Sequence, residues 1–440
     1  MQKGSELANE ASTMSTTALE ARRMLAPFRA EIIELLQSLV NTNSVAIPPN
    51  GLETEAQRVL QRFLRRHNVA AEIYEVTFLE NAEHPYLRRD RKYSGRHNLI
   101  ARLSGTGGGR SLMLSGHIDT VPVGNDGWTD NPWSGVLRDG RVYGRGSYDM
   151  KGGLVAAFAT IVALRNSGLR LKGNLFCESV IDEESGGGGG TLAGRLRGDI
   201  ADACIIPEPT ELTIFRASRG GYIVDIEVHA GDADNCFSRD EIVSPALPLA
   251  RMLGWIEEWV ERRRKIAITE VYNGFKDPAP VQVLAVEAGS FDPQLPLTVP
   301  LKARVRVYFQ FLPGEEVMTV LDEIKSSFSA FCRNDRFFYN NAPEWKALVD
   351  PPLLGHELPA DHELTLALSR HASSITGKPA LVTGAGYPCD AFLNQQYFGM
   401  PTLIFGPCGA AAHHANEYVD VDSVLQTAEI LLATTLEWCN

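Results

Sequence analysis

The sequence predicts an α/β protein: a mostly parallel central sheet layered by helices, with a small α+β domain inserted into it. Three observations predict this. Apolar strand-like runs alternate with helix-like periodicities from residue 98 to about 210. From 214 to 332 the texture changes, and strands and helices follow one another without that alternation. From 361 to 438 helix and strand alternate again. The expected divisions are a tail over 1–18, a main domain in two parts over 19–213 and 333–440, and an inserted unit over 214–332.

Apolar residues recur at helical spacing from Ala21 to Leu39, predicting one amphipathic helix, and a second is expected over Glu53–His67. Strands are expected at 71–76, 98–103 and 111–114, the last two joined by Gly105-Thr-Gly-Gly-Gly109. No helix pattern follows those glycines, so a hairpin turn accounts for them better than a phosphate loop. Leu154–Ser167 is a buried helix, and 173–180 and 203–207 are buried strands. In the inserted unit the expected order is a strand at 222–229, a helix at 245–264, strands at 281–288 and 301–311, and a helix at 315–331. The basic run Arg262–Lys265 reads as a solvated helix end. The main layer resumes with a helix at 361–376, strands at 380–383 and 401–405, and a closing helix at 423–438.

Of the 440 residues 44% are hydrophobic and 22% charged, the balance of a globular protein large enough for two domains. A formal net charge of −12 argues against nucleic acid or an anionic membrane as partner. Seven scattered cysteines, without C-x-x-C spacing, argue against a disulfide framework and for a reducing compartment. With no signal-peptide pattern and no apolar run of roughly 18 residues, the expected location is cytoplasmic.

The polar residues that break the apolar runs carry the chemistry. His117 and Asp119, in Ser115-Gly-His-Ile-Asp-Thr-Val-Pro122, stand two apart and so on one side of a strand end. An imidazole there can ligate a metal while a neighbouring carboxylate accepts its other N–H. Alone, this spacing more often belongs to a structural histidine than to a ligand. Asp149 precedes a helix, where a carboxylate either caps the helix or reaches a cation. Asp182, Glu183 and Glu184 follow a strand, and their mutual repulsion needs something positive to offset it. Glu208 ends another strand, and His413 and His414 follow a glycine-rich loop. In sheets of this class ligands bind beyond the carboxyl ends of the strands, where His117, Glu183, Glu184 and Glu208 fall, with Asp149 in a loop. Two histidines with Asp149, Glu184 and Glu208 are too many ligands for one open tetrahedral zinc, but suit two divalent cations bridged by a carboxylate. Glu183 is then left as general base.

The runs S-G-H-I-D-T-V-P, G-R-G-S-Y-D-M-K-G-G, D-E-E-S-G, P-E-P-T and H-H-A-N-E stand in the order of a known family. The chain resembles the M20 metallohydrolases, the group of acetylornithine deacetylase, succinyl-diaminopimelate desuccinylase, aminoacylase and carboxypeptidase G2. The resemblance covers residues 28–438 and implies a zinc-hydrolase-type catalytic domain with an inserted lid through which two chains form a homodimer. It implies His117, Asp149 and Glu208 as metal ligands with Asp149 bridging, and Glu184 with His413 on the second metal. Asp119 would orient His117, Glu183 would be the base, and Asp390 would be structural. The cofactor implied is a pair of divalent ions, zinc first, with cobalt or manganese as alternatives. The substrate implied is an N-acyl amine or short peptide.

The lid departs from the pattern. Where the family places a histidine that reaches the partner subunit's site, this sequence has Asp234, with His229 nearby; an acid donates to an oxyanion only when protonated. The family's lid asparagine and arginine are replaced by Thr298 and Gln310, and Arg219, His229 and Asp234 are the substrate-contact candidates that remain. The leading expectation is hydrolysis of a small acyl group from an amine. Its alternatives are a di- or tripeptidase, a formylaminopyrimidine deformylase and a metal-holding homologue without activity.

Overall fold

The computed structural model describes residues 14–230, 244–266, 268–294 and 296–440, and divides into two compact units. One holds the chain up to Ala217, then 357–385 and 389–440; the other holds 218–356 and 386–388.

The first unit opens with α1 (Thr16–Leu25) and α2 (Arg29–Asn41). Ser15 starts α1 by accepting the Ala18 N–H, so the expected tail ends earlier than residue 18. The single helix expected over 21–39 is broken at Ala26–Phe28, because Pro27 has no N–H with which to continue the ladder. Then follow α3 (Thr54–Arg66), β1 (Ala71–Glu75), β2 (His97–Leu103), β3 (Leu112–His117), α4 (Gly152–Ser167) and β4 (Leu175–Val180). α5 (Thr191–Leu196), β5 (Cys204–Ile206) and β6 (Ile214–Ser218) complete this part. Thirteen of the sixteen residues of α4 are buried, which makes it a core helix, apolar all round.

The inserted unit comprises β7 (Gly220–His229), α6 (Ala246–Arg263), β8 (Val281–Ala288), β9 (Lys302–Phe311), α7 (Val317–Asn334) and β10 (Glu344–Ala347). Its antiparallel sheet has the order β8-β9-β7-β10. Along β7, Tyr222, Val224, Ile226 and Val228 are buried in a core with Trp255, Trp259, Ile324 and Phe328, and the residues between them are less buried. The expected bounds of 214 and 332 are corrected at both ends. Ile214–Ser218 belongs to the main sheet, with Phe215 opposite Ile404. The unit extends to 356 because β10 hydrogen-bonds to β7, with Trp345 opposite Ile226.

The chain then returns to the first unit with α8 (Glu363–Thr376), β11 (Val382–Ala385), β12 (Thr402–Ile404) and α9 (Val421–Trp438). Its nine-stranded sheet runs from a short strand at 356–357 through β6, β12, β5, β3, β4 and β2 to β1, with β11 beside β6. The four central strands β12, β5, β3 and β4 are mutually parallel, and β6 and β2 flank them antiparallel, so the sheet is mixed with a parallel centre. The hairpin expected at Gly105–Gly109 is absent: β4 lies between β2 and β3, which do not pair. A smaller antiparallel sheet joins 136–138, 141–143, 418–420 and 409–410. Because the central strands share a direction, His117, the turn after β4 and Glu208 emerge at one edge of the sheet.

Candidate metal centre

β3 is buried throughout, so His117 at its end is held on a rigid element. His117 Nε2 lies 3.1 Å from Asp149 Oδ1 and 3.7 Å from Glu208 Oε1. His413 Nε2 lies 3.2 Å from Asp149 Oδ2 and 3.1 Å from Glu184 Oε2. The two oxygens of Asp149 therefore face two different imidazoles, the arrangement a bridging carboxylate requires. Glu183 has a ligand atom within 4.8 Å of those of His117 and Glu208, yet forms no ion pair with either histidine.

The role expected of the Asp119 carboxylate is redistributed. His117 Nδ1 is 2.9 Å from the Asp119 main-chain carbonyl and 3.6 Å from its carboxylate. Donation from Nδ1 to that carbonyl leaves the Nε2 lone pair facing the centre. The carboxylate instead accepts the main-chain N–H groups of Glu183 and Glu184, each at 3.3 Å. Of the three consecutive acids, Asp182 is turned away and bonded to Arg96 at 3.0 Å, which also pairs with buried Glu53. That arginine is the positive partner the run needed for one of its members, and His413 stands against Glu184. Asp390 packs behind their turn, where a Cβ on Gly187 would lie 2.0 Å from its Oδ1.

The electrostatics report a shortage of positive charge. Burial pushes the carboxyls of Glu183, Glu208 and Asp119 well above the usual range, and Asp390 adds to the effect on Glu183. Hydrogen bonds that His413 donates to the Asp149 and Glu184 carboxylates push its pKa up to about 10. Burial opposes the charged form of His117, but Glu208 and Asp149 outweigh it and raise its pKa. Asp149 goes the other way: burial opposes its ionisation, yet its two histidine partners hold it below the usual range. Five carboxylates, Asp119, Asp149, Glu183, Glu184 and Glu208, thus converge on two imidazoles. Nitrogen and oxygen donors in this proportion fit divalent cations such as zinc, cobalt or manganese.

The lid candidates belong to the inserted unit. Arg219 is buried there and donates to Gln310 Oε1 at 2.9 Å, the Asp277 carbonyl at 2.9 Å and the Gly386 carbonyl at 3.2 Å, with its guanidinium over the Phe275 ring. His229 is exposed on β7, with Nε2 2.8 Å from Glu227, and groups with Glu227 and Glu344. Thr298 is exposed, and Asp234 lies outside the described residues. A further residue escaped the sequence reading: Glu417, a fully buried acid that closes the H-H-A-N-E run.

A sequence profile described as peptidase family M20/M25/M40 matches residues 113–437. The chain belongs to that family. This M20 chain is 25% identical over 439 residues to N-formyl-4-amino-5-aminomethyl-2-methylpyrimidine deformylase of Bacillus subtilis, covering 94% of this chain and 95% of the relative. It is 28% identical over 354 residues to succinyl-diaminopimelate desuccinylase of Gluconacetobacter diazotrophicus, covering 76% and 83%. Its fold is similar to that of a solved di-peptidase from Saccharomyces cerevisiae, with a TM-score of 0.74 at 14% identity over 97% of this chain and 99% of that one. The M20 chain is accordingly a hydrolase of amide bonds.

Proposed function

We propose that this chain is a cytoplasmic, dinuclear metal-dependent amidohydrolase that removes a small acyl group from an N-acyl amino acid or related amine. The observation that carries the reading is Asp149, whose two oxygens each face a separate histidine, one beside Glu208 and the other beside Glu184. His117, Asp149 and Glu208 would hold one cation, and Asp149, Glu184 and His413 the other. Bound there, two divalent cations would supply Lewis acidity to the scissile carbonyl and lower the pKa of water at the site.

The protein's own part is proton transfer and orientation. Glu183 accepts the proton of the attacking water on its carboxylate and passes it to the leaving nitrogen, which must depart as an amine. Its freedom from both histidines supports that assignment. The Asp119 carbonyl fixes the His117 tautomer, and the Asp119 carboxylate shapes the turn that presents Glu183 and Glu184.

A second reading, deformylation of an N-formyl aminopyrimidine, is favoured by the end-to-end match to such a deformylase. Thr298 and Gln310, where lid asparagine and arginine respectively would grip an amino-acid carboxylate, support it too. Metal content and turnover of N-acetyl, N-succinyl and N-formyl substrates, measured on wild type and Glu183→Gln, test both readings. Two metals per chain and turnover that falls about 10²–10⁴-fold in the variant, with KM retained, are the expected result. Turnover confined to the formyl pyrimidine would select the second reading, and no hydrolysis across the panel with both metals bound would refute both.

A further inference from the structure

A buried carboxylate that faces no cation of the centre needs another reason to be there. Glu417 is wholly buried, and four donors converge on its two oxygens. Oε1 accepts the main-chain N–H groups of Tyr148 at 2.9 Å and Asp149 at 3.0 Å. Oε2 accepts the N–H of Gly146 at 2.9 Å and a guanidinium N–H of Arg145 at 2.8 Å. Four donors fill the lone-pair sites of a carboxylate, so Glu417 has no capacity left to ligate a metal or carry a proton.

Asp149 needs such a support. It stands just before α4 with φ −110° and ψ 97°, outside helical geometry, and its main-chain N–H donates to Glu417. Glu417 lies four residues beyond His413 on the same segment, and Arg145 also donates to the His414 carbonyl at 3.2 Å. The Glu417 carbonyl accepts the Gly144 N–H at 2.9 Å, which closes the contact between the two loops. One side chain thereby ties the loop of Asp149 to the loop of His413.

We propose that Glu417 is the positioning residue that sets the Asp149 carboxylate between His117 and His413, and so fixes the spacing of the two metal positions. The proposal rests on the dinuclear reading above. Glu417→Gln keeps the shape but replaces one acceptor oxygen with an N–H donor, so some of the 146–149 amides face a donor instead of an acceptor. It also leaves the buried Arg145 without a counter-charge.

The test is metal affinity, measured by competition with a chromophoric chelator, together with the visible absorption of the cobalt-loaded protein. In Glu417→Gln the weaker of two metals is expected to bind about 10–100-fold less tightly, the range for loss of an outer-shell partner. The cobalt spectrum should change, and kcat should fall with KM little altered. Glu417→Gln/Arg145→Met removes the buried charge pair as a unit and carries the test where the single variant is too unstable to load. If this double variant regains thermal stability yet keeps the weakened metal affinity and altered spectrum, positioning is supported. Wild-type affinity and spectrum in either folded variant would overturn the proposal and reduce Glu417 to a structural role. Wild-type protein that binds fewer than two metals would overturn the dinuclear reading itself, whatever the variants do.

Discussion

Asp119 separates two jobs that one carboxylate is easily assumed to do at once. Its main-chain carbonyl, at 2.9 Å, is the better acceptor for His117 Nδ1, so the imidazole keeps its tautomer whatever the side chain is. The carboxylate, fully buried, has the amides of Glu183 and Glu184 to accept. Asp119→Asn preserves the shape but turns a donor toward one of those amides, and an unsatisfied buried N–H costs about 1–3 kcal/mol. The expected result is a kcat lowered tenfold or more, with the His117–Glu208 position still loading metal and the Glu184–His413 position weakened. Metal titration beside steady-state kinetics checks this. A variant that loses metal first at His117 would return the orienting role to the carboxylate.

At the scale of elements, the approach of α4 to the turn before Glu208 is the tightest constraint on the site. A Cβ on Gly153 would lie 1.7 Å from the Pro207 carbonyl oxygen, closer than any real contact. Gly153→Ala must push that turn away, at an overpacking cost of about 1–3 kcal/mol. The melting temperature is expected to fall by a few degrees, and metal held by Glu208 to loosen with it; differential scanning calorimetry with and without zinc reads both. An unchanged melting temperature and zinc response would show that the turn yields freely.

What the sequence makes legible at this scale follows from how local each signal is. α4 and the parallel strands announce themselves because a continuous apolar run is the local signature of an element buried on all sides. The ligand candidates are legible because each breaks such a run at its end. The partners of β2 and β3 are not legible: β4, about sixty residues further on, inserts between them, and no short-range pattern encodes a non-local pairing. β10 is missed because four residues with alternate exposure look like loop. Glu417 is missed because a single acid after two histidines looks solvated until the amides of a distant loop are seen around it.

For the whole molecule, the inserted unit carries a surface that one chain leaves uncovered. β8 forms one edge of its sheet, with an outer side that no strand pairs among the described residues, and every residue of β8 after Val281 is exposed. Val283, Leu284 and Val286 stand 43%, 50% and 50% exposed on it. Such an edge is a template for pairing with another strand, and soluble proteins ordinarily blunt it with charge or proline. Here Val283, Leu284, Ala285 and Val286 are consecutive, exposed and uncharged, with one register shift between Val283 and Ala285, which supports a second copy of this chain pairing edge to edge through its own β8. The expectation is a homodimer with a mass twice 48.2 kDa by light scattering, and Val283→Lys/Val286→Lys at close to 48.2 kDa. Both substituted positions are exposed, so the variant should keep the wild-type circular dichroism and melting behaviour of a folded chain. A variant that stays dimeric would move the interface elsewhere on the molecule, and a monomeric wild type would remove the dimer altogether.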